Sequence, residues 1–221
     1  MTEDDSSNIA PADPLADLAR LRAIAEQGRR LPLLGGRIMI LWGAVIALAS
    51  ALHGAVVAHI LPWPMASAGL IWFGLMGLAA VFSRWLHTPA SASRSMNDIG
   101  NRVEKSVWQM GGGLLWLSSL AILGAAYLSL YQSGSSSLFL VFTMMPAIMF
   151  GVYAIALRVA AEVASLDQLK PFALLSLALA PVTILLANTP WQFVVMGVGV
   201  LIVSILPGHI LIQLESAHCG D

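Results

Sequence analysis

The run Leu41-Trp42-Gly43-Ala44-Val45-Ile46-Ala47-Leu48-Ala49-Ser50-Ala51-Leu52-His53-Gly54-Ala55-Val56-Val57-Ala58 decides the architecture. It lies in a stretch, Ile38 to Ser83, with no Asp, Glu, Lys or Arg. About 20 apolar residues, each rising about 1.5 Å, cross the roughly 30 Å of hydrocarbon in a bilayer. The run does not alternate as a barrel strand would, and its apolar character goes all the way round, as a helix dry on every side requires. Within it Gly43, Ala47, Ala51 and Ala55 recur at four-residue steps, with Ser50, Gly54 and Ala58 beside them. Such a stripe lets helix backbones approach closely, either within one bundle or between two copies of the chain.

Working outward, six stretches have this character: 38–60, 65–83, 107–128, 138–157, 171–187 and 191–213. The expected fold class is therefore all-α, a polytopic bundle of six transmembrane helices arranged as three hairpins. A cytoplasmic tail (1–36) with a short juxtamembrane helix precedes the membrane domain (37–213), and a second tail (214–221) follows it. Composition agrees: 58% of the 221 residues are hydrophobic, 10% are charged, and mean hydropathy is +0.81. A soluble domain has about 25% charged residues to cover its surface. A net charge of −1 gives no reason to expect nucleic-acid binding. A single cysteine, Cys219, leaves no disulfide framework.

The charges orient the bundle. All 11 Lys and Arg and all 12 Asp and Glu fall in segments 1–37, 84–106, 158–170 and 214–221, whereas the connections 61–64, 129–137 and 188–190 carry none. Basic residues stay on the cytoplasmic side, so both termini are expected there. Trp42, Trp85 and Trp108 mark one interface, and Trp63, Tyr131 and Trp191 the other, while Trp72 and Trp116 lie deeper and read as packing residues. The first 36 residues are too polar for a signal peptide, which predicts that the first span is retained as an anchor. Residues 1–17 carry five acids and no base; residues 18–37 carry Arg20, Arg22, Arg29, Arg30 and Arg37 with one acid. Asp13-Pro14 starts a helix that ends near Gly28, and its arginines suit anionic lipid or a protein partner. A further helix is expected to begin near Asn97 and run into the third span, with Ile99, Val103, Val107 and Met110 at helical spacing.

Chemistry is narrowed by the same map. With no carboxylate inside a span or on the outer side, an outer Ser-His-Asp triad and an intramembrane acidic relay are both excluded. HExxH, GxSxG and phosphate-loop patterns are absent from the sequence. His87, His209, His218, Cys219 and Glu215 match no compact metal spacing, so no metal and no cofactor are implied. His53, with Gln109, is the candidate intramembrane ligand or pathway residue; the alternative is a neutral imidazole bonded to a neighbouring helix. Pro146, Pro181 and Pro207 fall inside spans four to six, where each is expected to kink its helix.

The stretches Pro32-Leu33-Leu34-Gly35-Gly36…Leu41-Trp42-Gly43 and Gly100-Asn101-Arg102-Val103-Glu104-Lys105-Ser106-Val107-Trp108 resemble uncharacterised small polytopic bacterial inner-membrane proteins. The resemblance implies six-helix membrane architecture and assigns no activity. Together these readings point to a non-enzymatic inner-membrane protein, an interaction or regulatory component that binds a partner or anionic lipid through its cytoplasmic face, with homo-oligomers allowed by the stripe. The alternative is a small-molecule transporter or channel with a site near His53. Orientation has a direct check. In a Cys219→Ser chain, Gln132→Cys should react with a membrane-impermeant maleimide from the outer side; labelling from the cytoplasmic side would reverse the bundle.

Overall fold

The computed structural model describes residues 17–19, 35–64, 67–86, 99–134 and 137–219. Every regular element among them is helical: α1 (Gly36–Val57), α2 (Ser67–Trp85), α3 (Ile99–Ser133), a 3-10 segment (Ser137–Met144), α4 (Met145–Val163), a 3-10 turn (Asp167–Leu169), α5 (Lys170–Leu185), α6 (Pro190–Val200), a π turn (Leu201–Ile205) and α7 (Leu206–Cys219). Six helical rods are long and apolar enough to cross a membrane, α6, the π turn and α7 together making the last. The expected juxtamembrane helix lies outside the described residues except for Asp17–Ala19, which are helical.

Helix ends follow local chemistry. Pro171 and Pro190 stand in the first turns of α5 and α6, where a missing N–H costs little, and Pro146 stands in the first turn of α4, directly after the 3-10 segment. After α1, His59 is left-handed at φ 56°, and Ile60 N–H bonds Ala55 O at 2.9 Å, closing the orphan carbonyls. Ser165 does the same after α4 at φ 55°, with Leu166 N–H on Ala161 O at 2.9 Å.

The prolines correct one expectation. An α-helix running through 138–157 would require an N–H that Pro146 lacks and would drive its ring into the Phe142 carbonyl. The chain instead winds as a 3-10 helix to Met144 and turns α at Met145, so Pro146 opens a helix rather than kinking one. Pro207 stands two residues past the π turn, whose wider winding takes up the space its ring needs against Val203. Pro181 alone lies inside a regular helix, α5.

The core is built by α4, α5, the last rod and α1. Phe150, Leu157, Leu169, Val200, Val203 and Leu211 have at most 1% exposure. Half of the most apolar window of the α4 rod is buried, against 11% for α2 and 6% for α3, so those two lie at the periphery. They still touch each other, Phe73 meeting Trp116 edge to face at 5.5 Å.

The first and last rods run antiparallel in backbone contact. A methyl on Gly36 would stand 2.6 Å from Gly208 O, and one on Gly208 would stand 2.8 Å from Gly36 O. Further along, a methyl on Gly43 would meet Ser204 at 2.8 Å, and one on Gly54 would meet Phe193 Cβ at 2.9 Å. The contact row is thus Gly36, Gly43, Ser50 and Gly54. Gly43 belongs to the small-residue stripe, Ala47 and Ala55 are half-buried beside the contact, and Ala51 is exposed. Gly43→Leu should therefore wedge the rods apart and cost about 1–3 kcal/mol. A methyl on Gly74 would meet nothing within 4 Å, so Gly74→Leu should stay within about 0.5 kcal/mol. Thermal unfolding of the two chains in detergent micelles reads the difference.

Candidate functional site

Among the described residues, interior polar side chains mark the middle of α1, one end near Gln192 and the opposite end near Glu104, while Ser176 of α5 donates to Phe150 O of α4.

In the middle, His53 is half-buried between α2 and α6. Its Nδ1 accepts the indole N–H of Trp72 at 3.0 Å, and its ring lies 4.2 Å from that of Phe193. An indole only donates, so Nδ1 is the acceptor of this pair. The observed partner makes His53 a strut between α1 and α2. Gln109 is not brought to it, because that residue lies on the exposed face of α3.

At the second place, Gln192 is wholly buried at the start of α6. Its amide nitrogen donates to Thr143 O at 2.6 Å and Thr183 O at 3.0 Å. Both carbonyls have a local reason to want a donor. Pro146 has no N–H to offer Thr143 three residues earlier. Ala187 N–H turns to Ile184 O as α5 ends, leaving Thr183 O to a side chain. One amide thus ties together the 3-10 segment, α5 and α6.

The third place is a seam across four rods. Glu104, in the second turn of α3, is 5% exposed. Trp108 donates its indole N–H to the carboxyl, while Oε1 has no hydrogen-bond partner. That oxygen stands against Gly35, where an added methyl would come within 2.5 Å of it. Trp108 meets Tyr153 of α4 edge to face at 5.0 Å. The Tyr153 hydroxyl lies 3.5 Å from Ser204 Oγ in the π turn, and Ser204 donates to Met39 O of α1 at 2.7 Å. Glu104 lies before the apolar run of α3, and although its neighbours Arg102 and Lys105 are exposed it packs against the start of α1.

The other sequence candidates are placed separately. Arg37 is exposed on the first turn of α1, and Arg20, Arg22, Arg29 and Arg30 lie outside the described residues. Between α4 and α5, Arg158 pairs with Glu162 at 2.7 Å, and Lys170 pairs with Asp167 at 2.7 Å and Glu162 at 3.4 Å. These exposed pairs brace a connection and are worth little individually. Among the described residues no three His, Cys, Asp or Glu side chains gather as a metal site would require.

Glu104, Trp108, Tyr153, Gln192 and Ser204 were not singled out from the sequence as a site. For α3 a signal existed: Glu104, Trp108, Gly111 and Leu115 recur at steps of three and four on one face. Trp108, Gly111 and Leu115 all pack inward, Gly111 against Val152, whereas Met110 of the apolar row is 74% exposed. No family model, curated protein or solved structure matches the chain, so function is argued from this geometry. Gln192→Leu keeps the volume and strands two carbonyls, and should cost about 1–3 kcal/mol. Thermal unfolding in detergent measures the loss; an unchanged midpoint would remove Gln192 as a tie between rods.

Proposed function

We propose that the chain is a multi-pass inner-membrane protein of bacterial type, with both termini in the cytoplasm, that works as an interaction or regulatory component. In this reading the basic segment containing Arg20, Arg22, Arg29, Arg30 and Arg37 rests on anionic lipid and presents the cytoplasmic face to a protein partner. The supporting observation is how the interior polar groups are used. Ser204 bonds Met39 O, Ser176 bonds Phe150 O at 2.8 Å, Gln192 bonds two carbonyls and His53 bonds Trp72. Each joins one rod to another, which suits a rigid scaffold better than a pathway whose groups must exchange partners with a moving solute.

A scaffold of this kind acts through what lies outside the apolar rods, and the charged segments are the part of the chain rich enough in hydrogen-bonding groups for selective contact. Arginines beside anionic lipid gain about 1 kcal/mol each, sufficient to seat the segment and orient a partner surface. Photo-crosslinking in native membranes tests the proposal. A defined partner should couple to the full chain and be lost when residues 1–30 are deleted, while the deleted chain still inserts. Retention of the same crosslinks after deletion would overturn it.

A further inference from the structure

We propose that Glu104 anchors an aminophospholipid site, in which its carboxylate receives the ammonium group of a phosphatidylethanolamine-type headgroup. This goes beyond the docking role of the arginine segment and does not depend on it.

The starting point is an electrostatic imbalance. A buried carboxylate is retained in folded proteins when it is paired or fully hydrogen-bonded, because its desolvation is otherwise uncompensated. Glu104 has one neutral indole donor on one oxygen and nothing on Oε1. No described cation fills the gap: Arg102 and Lys105 stand on the exposed side of α3, Arg37 is exposed on α1, and Arg158 and Lys170 are engaged with Glu162 and Asp167. The start of α1, with Gly35 as a cap that contributes no side-chain hydrogen bond, turns its positive end toward the same carboxyl. That end amounts to about half a charge, and burial still pushes the Glu104 carboxyl up to about 7, so a cation is what would hold it ionised near neutral pH.

Position selects the ligand. Glu104 stands where the apolar run of α3 gives way to Arg102 and Lys105, one turn before Trp108. That is headgroup depth in a spanning helix. The hydrogen-bonding cation abundant there is the primary ammonium of an aminophospholipid, with donors and no acceptor, which complements an acceptor-only carboxylate. A choline headgroup has no N–H to give. Gly35 sets the geometry: Oε1 occupies the place beside its Cα that any side chain would contest, and the contested atom is the far end of a flexible side chain. Gly35→Ala therefore moves the carboxyl while leaving its charge and the helical backbone in place.

The full chain in nanodiscs tests this. In phosphatidylethanolamine/phosphatidylglycerol discs its Tm should exceed that in phosphatidylcholine/phosphatidylglycerol discs by about 2–4 °C, the scale of one charge-assisted hydrogen bond in a domain this size. The difference should vanish in Glu104→Gln and in Gly35→Ala. Equal Tm in the two lipids, or the same difference in Glu104→Gln, would overturn the proposal. Ammonium chloride against tetramethylammonium chloride, added to the phosphatidylcholine discs, separates the sources: a full shift from soluble ammonium would assign a free cation and overturn the lipid. Native mass spectrometry is the second readout should Glu104→Gln fail to fold. One phosphatidylethanolamine should stay on the wild-type chain and be lost from Gly35→Ala; equal retention on both would overturn the site.

Discussion

The backbone contact between the first and last rods is the constraint on which the rest of the bundle depends. In lipid, two apolar helices gain little by leaving hydrocarbon for each other, so their association rests on close packing and on hydrogen bonds between them. Gly36 against Gly208 and Gly43 against Ser204 bring α1 and the last rod within reach of both. Closeness at Gly43 also places Ser204 Oγ 2.7 Å from Met39 O, one turn away on the same face. The packing contact and the polar contact are therefore one feature, and a side chain at 43 would remove both. Because the partners stand at opposite ends of the sequence, α1 has no final neighbour on that face until the last rod is made.

Gln192 and Ser176 likewise serve the backbone of neighbouring rods. Three prolines in apolar rods each disturb helical hydrogen bonding, and two have visible compensation. Beside Pro146 the chain winds as a 3-10 helix, and Gln192 donates to Thr143 O. Before Pro207 the chain widens into a π turn, and the same turn presents Ser204 to α1 and Tyr153. Irregular backbone at membrane depth is stable where protein groups satisfy it. Irregular turns here mark the places where rods are tied together.

How much of this was legible depends on the range of the interaction. Six apolar rods could be read because length and composition are local properties. Sequence spacing cannot say which side of α1 meets a partner: Ala51 of the stripe is exposed, while Gly36, Gly43 and Gly54 make the contact with the last rod. Pro146 read as a kink because a 3-10 approach of eight residues has no sequence signature. Glu104 was the instructive miss. A glutamate among Arg102, Lys105 and Ser106 reads as part of a solvated run, and nothing local reveals that Gly35, almost seventy positions earlier, stands against it. Gln192 beside Pro190 and Trp191 likewise reads as an interface residue until α5 and the 3-10 segment close over it.

Glu104 stands at the start of the least buried rod. At 35 residues α3 is about 52 Å long, well beyond the hydrocarbon thickness, and its apolar window is 6% buried. At its start the inward contacts are Glu104 at Gly35, Trp108 at Tyr153 and Gly111 at Val152, and toward its end Ala126 is buried and the 3-10 segment packs along it. Leu117, Leu120, Tyr127 and Leu128 are all at least half exposed, as lipid-facing residues would be. The rod is therefore held at both ends, by Glu104, Trp108 and Gly111 at its start and by Ala126 and the returning 3-10 segment at its end, so the lipid-facing residues between them can stay exposed without loosening it.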